Sequence, residues 1–326
     1  MTGYIVRRFL YMLMLLALTS VVAFMVIVLP PGDFLTAYAA QLRAQGDVAE
    51  EELESLRRIY GLDQPIYVQY FKWVSNFVRG DLGMSFEWSR PVSTLIGERL
   101  GMTILVSVMA LFVTYLIAVP VGIYAATHQY SGGDYFFTFI AFIGMSVPNF
   151  LLALILMISL NKAFGLSIGG LFSVQYKTEP WSLAKFVDLL KHLPVPLLVI
   201  GLSGTASIMR IMRGMLLDEL HKPYVTTARA KGLREGKLLF KYPVRIALNP
   251  IASTIGWALP SVFSGQTIAS IVLDLPTIGP LLYKALMSED MFLAASAIMI
   301  TTSLTVVGVF LSDMLLAWLD PRITYS

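Results

Sequence analysis

The run MTILVSVMALFVTYLIAVPVGIYAAT, Met102–Thr127, decides the fold of this chain. It carries no charged residue and none of the period-two alternation of a barrel strand. At about 1.5 Å of rise per residue, ~20 apolar residues cross a hydrocarbon layer roughly 30 Å thick. Backbone groups in such a layer have no water to bond, so a run of this length spans as a helix. Five other runs are of the same kind: Phe9–Pro30, Tyr135–Leu160, Leu193–Leu217 (interrupted by Pro194, Pro196 and Gly201), Ile246–Leu273 and Met291–Leu319. The composition agrees, with 56% hydrophobic and 14% charged residues and a mean hydropathy of +0.71, far from the balance of a soluble domain. The expected class is all-α, a polytopic membrane protein with six transmembrane helices.

Arg7-Arg8 before the first run and Ala37-Tyr38-Ala39 after it give the N-terminus some of the look of a cleavable signal. The run is longer than the 7 to 15 apolar residues of a signal core, so it reads as a retained span. Basic residues set the orientation. With the N-terminus inside, the cytoplasmic segments hold twelve of the 24 basic residues and six of the 21 acidic ones, which makes the inner side positive and the outer side negative. Both termini are therefore expected in the cytoplasm, with the chain threading the membrane several times. The organisation is an N-terminal span in 1–30, an extracytoplasmic helical segment in 31–98, and a five-helix core in 99–319. That core carries an outer insertion at 161–191 and a basic cytoplasmic loop at 218–245, and a cytoplasmic tail follows at 320–326. Membrane lipid, not nucleic acid, is the expected surrounding.

The 31–98 segment predicts two small helices. Asp47 and Glu50 make a capping pair, Leu53, Leu56 and Tyr60 repeat at helical spacing, Glu54 can meet Arg58, and Gly61 ends the turn. Pro65 starts a second helix whose Ile66, Tyr70, Trp73, Val74 and Phe77 form one apolar face, closed by Gly80. This face packs, or forms a rim for a soluble partner. The insertion holds Phe164, Phe172, Tyr176, Trp181 and Phe186, a lid whose rings suit either an aromatic belt at the membrane surface or stacking on a ligand.

Catalytic chemistry finds no support. Gly232-Leu233-Arg234-Glu235-Gly236-Lys237-Leu238 has three residues between its glycines where a phosphate-binding loop needs four, and Leu238 stands where Ser or Thr is required. There is no HExxH pair, no GxSxG elbow and no Cys, and the three histidines, His128, His192 and His221, are scattered. The chain reads as no enzyme, with no metal site. An ion-coupled carrier needs ionisable groups near the bilayer midplane; Asp274, Asp313, Arg210 and Arg213 all fall towards the ends of their runs, which weakens that class.

Two features suit a transport path. In the fifth run Ser253, Trp257, Ser261, Ser264 and Thr267 recur at three- and four-residue spacing on one face, and Pro260 and Gly265 can bend the helix. Small hydroxyl residues also mediate ordinary helix packing, so pore lining and packing both stand. In the third run Pro148 predicts a kink, with Asn149 and Ser146 beside it to satisfy freed carbonyls or to face a cavity.

The most basic stretch is Pro223-Tyr224-Val225-Thr226-Thr227-Ala228-Arg229-Ala230-Lys231-Gly232-Leu233, followed by Leu248-Asn249-Pro250. It resembles the cytoplasmic signature loop of binding-protein-dependent ABC importer permeases, within their dipeptide, oligopeptide and nickel branch. Further matches are Gly61-Leu62-Asp63-Gln64-Pro65, Gln69-Tyr70 with Trp73, Arg79-Gly80-Asp81-Leu82-Gly83-Met84-Ser85 and Pro91-Val92, so the resemblance covers nearly the whole chain.

It implies a type I importer fold in the inner membrane of a prokaryote, and a subunit that pairs with a second homologous permease, two cytoplasmic ATPases and an extracytoplasmic substrate-binding protein. ATP and magnesium would be bound by the ATPases, with no cofactor in this chain. The expected ATPase-coupling residues are Pro223, Tyr224, Thr226, Thr227, Ala228, Arg229, Ala230, Lys231, Gly232 and Leu233: Pro223 opens a helix, the small residues permit close approach, and Tyr224, Arg229 and Lys231 anchor in a groove. The substrate implied is a peptide, with an oligosaccharide as the alternative; nickel suits a chain without a His or Cys cluster less well. Two departures stand out. Thr226-Thr227-Ala228 replaces the Glu-Ala-Ala common in the wider superfamily, and Leu275-Pro276-Thr277-Ile278-Gly279 replaces the branch's compact Pro-Gly turn.

Overall fold

The structure is a computed structural model that describes residues 2–29, 54–55, 63–85, 87–164 and 169–319. The helix expected around Leu53, Leu56 and Tyr60, with its Asp47 and Glu50 cap, lies outside these residues apart from Glu54 and Ser55, which are helical. Four helices are each long and apolar enough to cross a membrane, and the count reaches six if each of two bent pairs is one span. The chain divides into two compact units, residues 1–103 with 277–310 and residues 104–276 with 311–326.

The first unit contains α1 (Thr2–Val28), α2 (Ile66–Val78), a short antiparallel hairpin of β1 (Met84–Ser85) and β2 (Arg90–Pro91), the start of α3 (Val92–Thr127), α11 (Ile278–Met287) and most of α12 (Met291–Leu319). As expected, Tyr70, Trp73, Val74 and Phe77 turn inward from α2, against Phe24 of α1, while Ile66 stays exposed. Phe24 meets Tyr70 edge-on at 5.5 Å and Trp73 at 5.9 Å, and the Tyr70 and Ser20 hydroxyls are 2.7 Å apart. Asp290 ties the hairpin to α12. Its carboxylate accepts from the Ser85 hydroxyl and from the Leu293 N–H at 3.2 Å, capping the helix.

The second unit is built on α7 (Pro194–Leu220), which packs chiefly on α10 (Pro243–Val272) and α4 (Gly132–Ser146), and also on α5 (Asn149–Phe164) and α6 (Leu183–His192). Pro194 and Pro196 do not break α7, because they occupy its first turn, where the missing N–H has no helical partner to lose. Nor does Gly201. Its bare backbone admits Thr114, whose Oγ1 donates to the Gly201 carbonyl at 3.3 Å. On the facing helix, a Cβ at Gly122 would sit 2.9 Å from the Met209 carbonyl oxygen and 2.8 Å from the Met212 Cβ. Arg213 of α7 grips Asp134 of α4 through two 2.8 Å hydrogen bonds, and Asp134 is buried.

The third run is a correction to the sequence reading. It is not one kinked helix: α4 ends at Ser146, Val147 takes extended dihedrals (φ −90°, ψ 122°), and α5 leaves at 111°. Proline disfavours helical geometry in the residue before it, which converts the expected kink into a break. α10 bends more gently, by 42° near Pro260. The insertion holds a 3-10 turn (Val174–Tyr176) and α6, with Leu171, Phe172 and Leu189 buried. Lys185 lies 5.1 Å from the Phe172 ring and 5.5 Å from that of Trp181. Burial pushes the Asp188 carboxyl up, but the hydroxyl and N–H of Ser173, both donating to it at 2.7 Å, hold it below the ordinary carboxylate range.

Gly122→Leu should force α3 from α7, since one of the obstructing atoms is backbone. A loss of about 1–3 kcal/mol is expected, read as a lowered unfolding temperature in detergent; an unchanged transition would show that the two helices part freely.

Candidate functional site

α7 ends at Leu220, and three residues later Pro223 opens α8 (Pro223–Ala230) from an extended Lys222 (φ −72°, ψ 146°). The proline fixes the first turn. Gly232 ends it: at φ +77° it takes the left-handed conformation in which other residues are strained, and its N–H bonds the Arg229 carbonyl at 3.0 Å. The reversal sends the chain into α9 (Glu235–Lys241), and Tyr242 leads directly into α10. A two-helix hook thus joins α7 to α10 with almost no slack.

Val225, Ala228 and Leu238 are buried between the two short helices, with Tyr224, Leu233 and Tyr242 packed around them. The Arg229 guanidinium forks onto Glu235 at 2.5 and 3.1 Å, clasping α8 to the start of α9. The Tyr224 hydroxyl donates to Glu219 at the end of α7. Burial, and then that bond to a carboxylate, push the phenol up to about 12.

The structure sorts the expected coupling residues into two sets. Thr226, Thr227, Arg229, Ala230, Lys231 and Gly232 are exposed together with Pro223 and form one outward surface. Tyr224, Ala228 and Leu233 turn inward. The sequence reading made Tyr224 an anchor for a partner and Ala228 a point of close approach to it; within this chain both pack against the hook's own apolar cluster, since an eight-residue helix without an apolar underside would have nothing to hold it. Phe240, 64% exposed, and Lys237 extend the outward surface and went unnoticed. A signal existed, since Leu238, Leu239 and Phe240 are consecutive and a helix cannot turn all three to one side.

On α10, Ser253, Trp257 and Ser261 are exposed along one face, Thr267 is half-buried, and the side chain of Ser264 lies outside the described residues. The opposite face packs. Thr254 pairs with the Tyr115 hydroxyl at 2.7 Å, and Ser107 donates to Gln266 at 3.1 Å. Packing through polar groups therefore falls to Thr254 and Gln266, which the spacing argument passed over, while Ser253, Trp257 and Ser261 face out of the chain. Asn149 begins α5 and is half-buried. Among the described residues no group of three or more His, Asp or Glu side chains is placed to hold a metal ion.

Residues 118–325 match the family described as binding-protein-dependent transport system inner membrane component, and residues 1–108 match its N-terminal family. The chain belongs to this family. The permease is 33% identical over 327 residues to an oligopeptide transport system permease protein of Bacillus subtilis, covering 100% of each chain. It is 29% identical to an oligopeptide transport system permease protein of Mycobacterium tuberculosis over 335 residues, again covering 100% of each. A dipeptide transport system permease protein of Alkalihalophilus pseudofirmus is 29% identical over 339 residues, with 100% of each covered. The permease is thus the membrane-spanning subunit of a binding-protein-dependent importer, with the type I permease architecture of its family.

The raised Tyr224 hydroxyl makes the hook's stability pH-dependent in one direction. A phenol of ordinary value near 10 in the unfolded chain and about 12 when folded stabilises fully below pH ~10, and the contribution is lost as pH rises through about 12. Tyrosinate absorbance of the native permease minus that of Tyr224→Phe should therefore appear only above pH ~11; a difference centred near pH 10 would mean that Tyr224 faces water.

Proposed function

We propose that this permease subunit carries peptides inward as half of a translocation pathway shared with a second homologous permease. Two cytoplasmic ATPases would supply the energy and an extracytoplasmic binding protein the substrate. The observation that carries the coupling is the hook itself. Its exposed surface of Thr226, Thr227, Arg229, Ala230, Lys231 and Gly232 is small and cationic, and it is fixed by Arg229–Glu235 and Tyr224–Glu219 to helices that run on as α7 and α10. A push on such a surface reaches both long helices without being absorbed by a loop. Peptide as substrate is supported by full-length similarity to permeases named for oligopeptides and dipeptides.

In this reading both termini and the hook lie in the cytoplasm and the 161–191 insertion lies outside. ATP and magnesium belong to the ATPases, and the permease itself hydrolyses nothing. The stripe Ser253, Trp257 and Ser261, exposed on α10, lines the shared path together with Ser264 and Thr267, and Asn149 borders it. ATP-driven closure of the ATPases biases the pathway between outward and inward states.

Gly232→Glu should lower substrate-stimulated ATP hydrolysis of the assembled importer by about tenfold while leaving the binding protein's affinity unchanged, because it reverses charge and adds bulk at the docking surface. Gly232→Asn, which tolerates the left-handed backbone and adds no charge, should retain most of the activity. Equal loss in both variants would assign the defect to backbone strain, and full activity of the Glu variant in an intact complex would remove this surface from the coupling.

A further inference from the structure

Arg210 is the cation that the hook and the stripe leave unexplained. It lies three residues before Arg213 on α7, yet the two side chains point in opposite directions along α4. Arg213 reaches Asp134 near the charged start of α4, whereas Arg210 Nη1 reaches Met145 Sδ at 3.3 Å, near that helix's other end. Eleven residues separate the two contacts, about 16 Å along a helix, or half of a hydrocarbon layer roughly 30 Å thick. The Arg210 guanidinium therefore lies away from the charged start of α4, at the end where that helix breaks.

A charge beside an apolar stretch of this kind is costly, and the described neighbours compensate it poorly. Its partners are a thioether, which is a weak acceptor, and the Phe142 ring at 5.3 Å. Arg210, Phe142 and Met145 are all exposed on the surface of this chain. An arginine snorkelling to lipid headgroups would extend towards the nearer polar boundary, where Asp134 lies; this one extends away from it. Beside the guanidinium, α4 breaks at Val147, and Pro148 has no N–H to offer the Gly144 carbonyl four residues back. Ser146, exposed, and Asn149, half-buried, flank the break. Interrupted membrane helices of this kind are tolerated where they line a cavity.

We propose that Arg210, at the break between α4 and α5, is a substrate-binding residue of the translocation pathway that takes the carboxylate of the transported peptide. The planar fork of donors matches a carboxylate in two parallel bonds, and the site offers it no competing anion among the described residues. The inference rests on the peptide reading above.

The test uses the complete importer in proteoliposomes, with its binding protein saturated by tetra-alanine or by tetra-alanine amide. Wild type should move the free acid roughly tenfold faster than the amide, and Arg210→Gln should erase the difference by slowing the acid alone. If the Gln variant does not assemble, Arg210→Lys, which keeps the charge but loses the fork, should narrow the preference; an unchanged preference overturns the proposal. A Gln variant that slows both forms equally overturns it in favour of an ion pair with the second permease, and one that slows neither overturns it in favour of lipid phosphate. Equal wild-type rates for the two peptides overturn the proposal while leaving the peptide reading intact, and a wild type that moves neither overturns both.

Discussion

Hydrocarbon offers a backbone no hydrogen-bond partners, and the organisation of this permease follows from that constraint. Wherever the chain is apolar over a long run it closes its own bonds as a helix, and irregular backbone is confined to places where side chains or turns supply the missing partners. The hairpin is held by Asp290, the insertion by Ser173 and Asp188, and the hook by Gly232 and its cap bonds. The conspicuous break within an apolar stretch, at Val147 and Pro148, is also where a guanidinium and two small polar side chains gather. Non-helical backbone at such a place is tolerated where it is buried in protein or lines a water-filled cavity.

α7 is the element through which these parts are connected. Thr114 enters at Gly201, Gly122 lets α3 approach to backbone contact, Arg213 grips α4, and the hook begins three residues past Leu220. α10 leaves the other side of the hook and, at its far end, the Leu273 carbonyl accepts from the Gly170 N–H of the insertion at 2.7 Å. A single bent helix thus links the hook to the insertion. Close packing makes such a connection stiff, since interiors at crystal-like density transmit displacement instead of absorbing it.

The hook illustrates how far sequence reasoning carries. Pro223 marked its start, because proline acts through its own backbone, whereas Gly232, read only as small, also reverses the chain at φ +77°. The packing of Tyr224 and Ala228 was not legible because it depends on α9, whose apolar Leu238 closes the cluster and whose position no spacing rule on α8 reports. On α10 the same limit worked the other way: Ser253, Trp257 and Ser261 share a face by periodicity alone, but which face packs was decided by Tyr115 and Ser107, about 140 to 160 residues away in sequence.

By itself the sequence determined the all-α membrane class, the positions of the long apolar segments, the start of the hook and the family resemblance, since run length and proline act locally and need no partner. Tertiary structure alone decided that the third run breaks rather than kinks, that Gly201 receives a neighbour instead of interrupting its helix, and that Arg210 reaches Met145 beside the break while Arg213 reaches Asp134. Each of those outcomes depends on which helix lies alongside, and a long flexible cation shows its direction only when the atom it reaches is known.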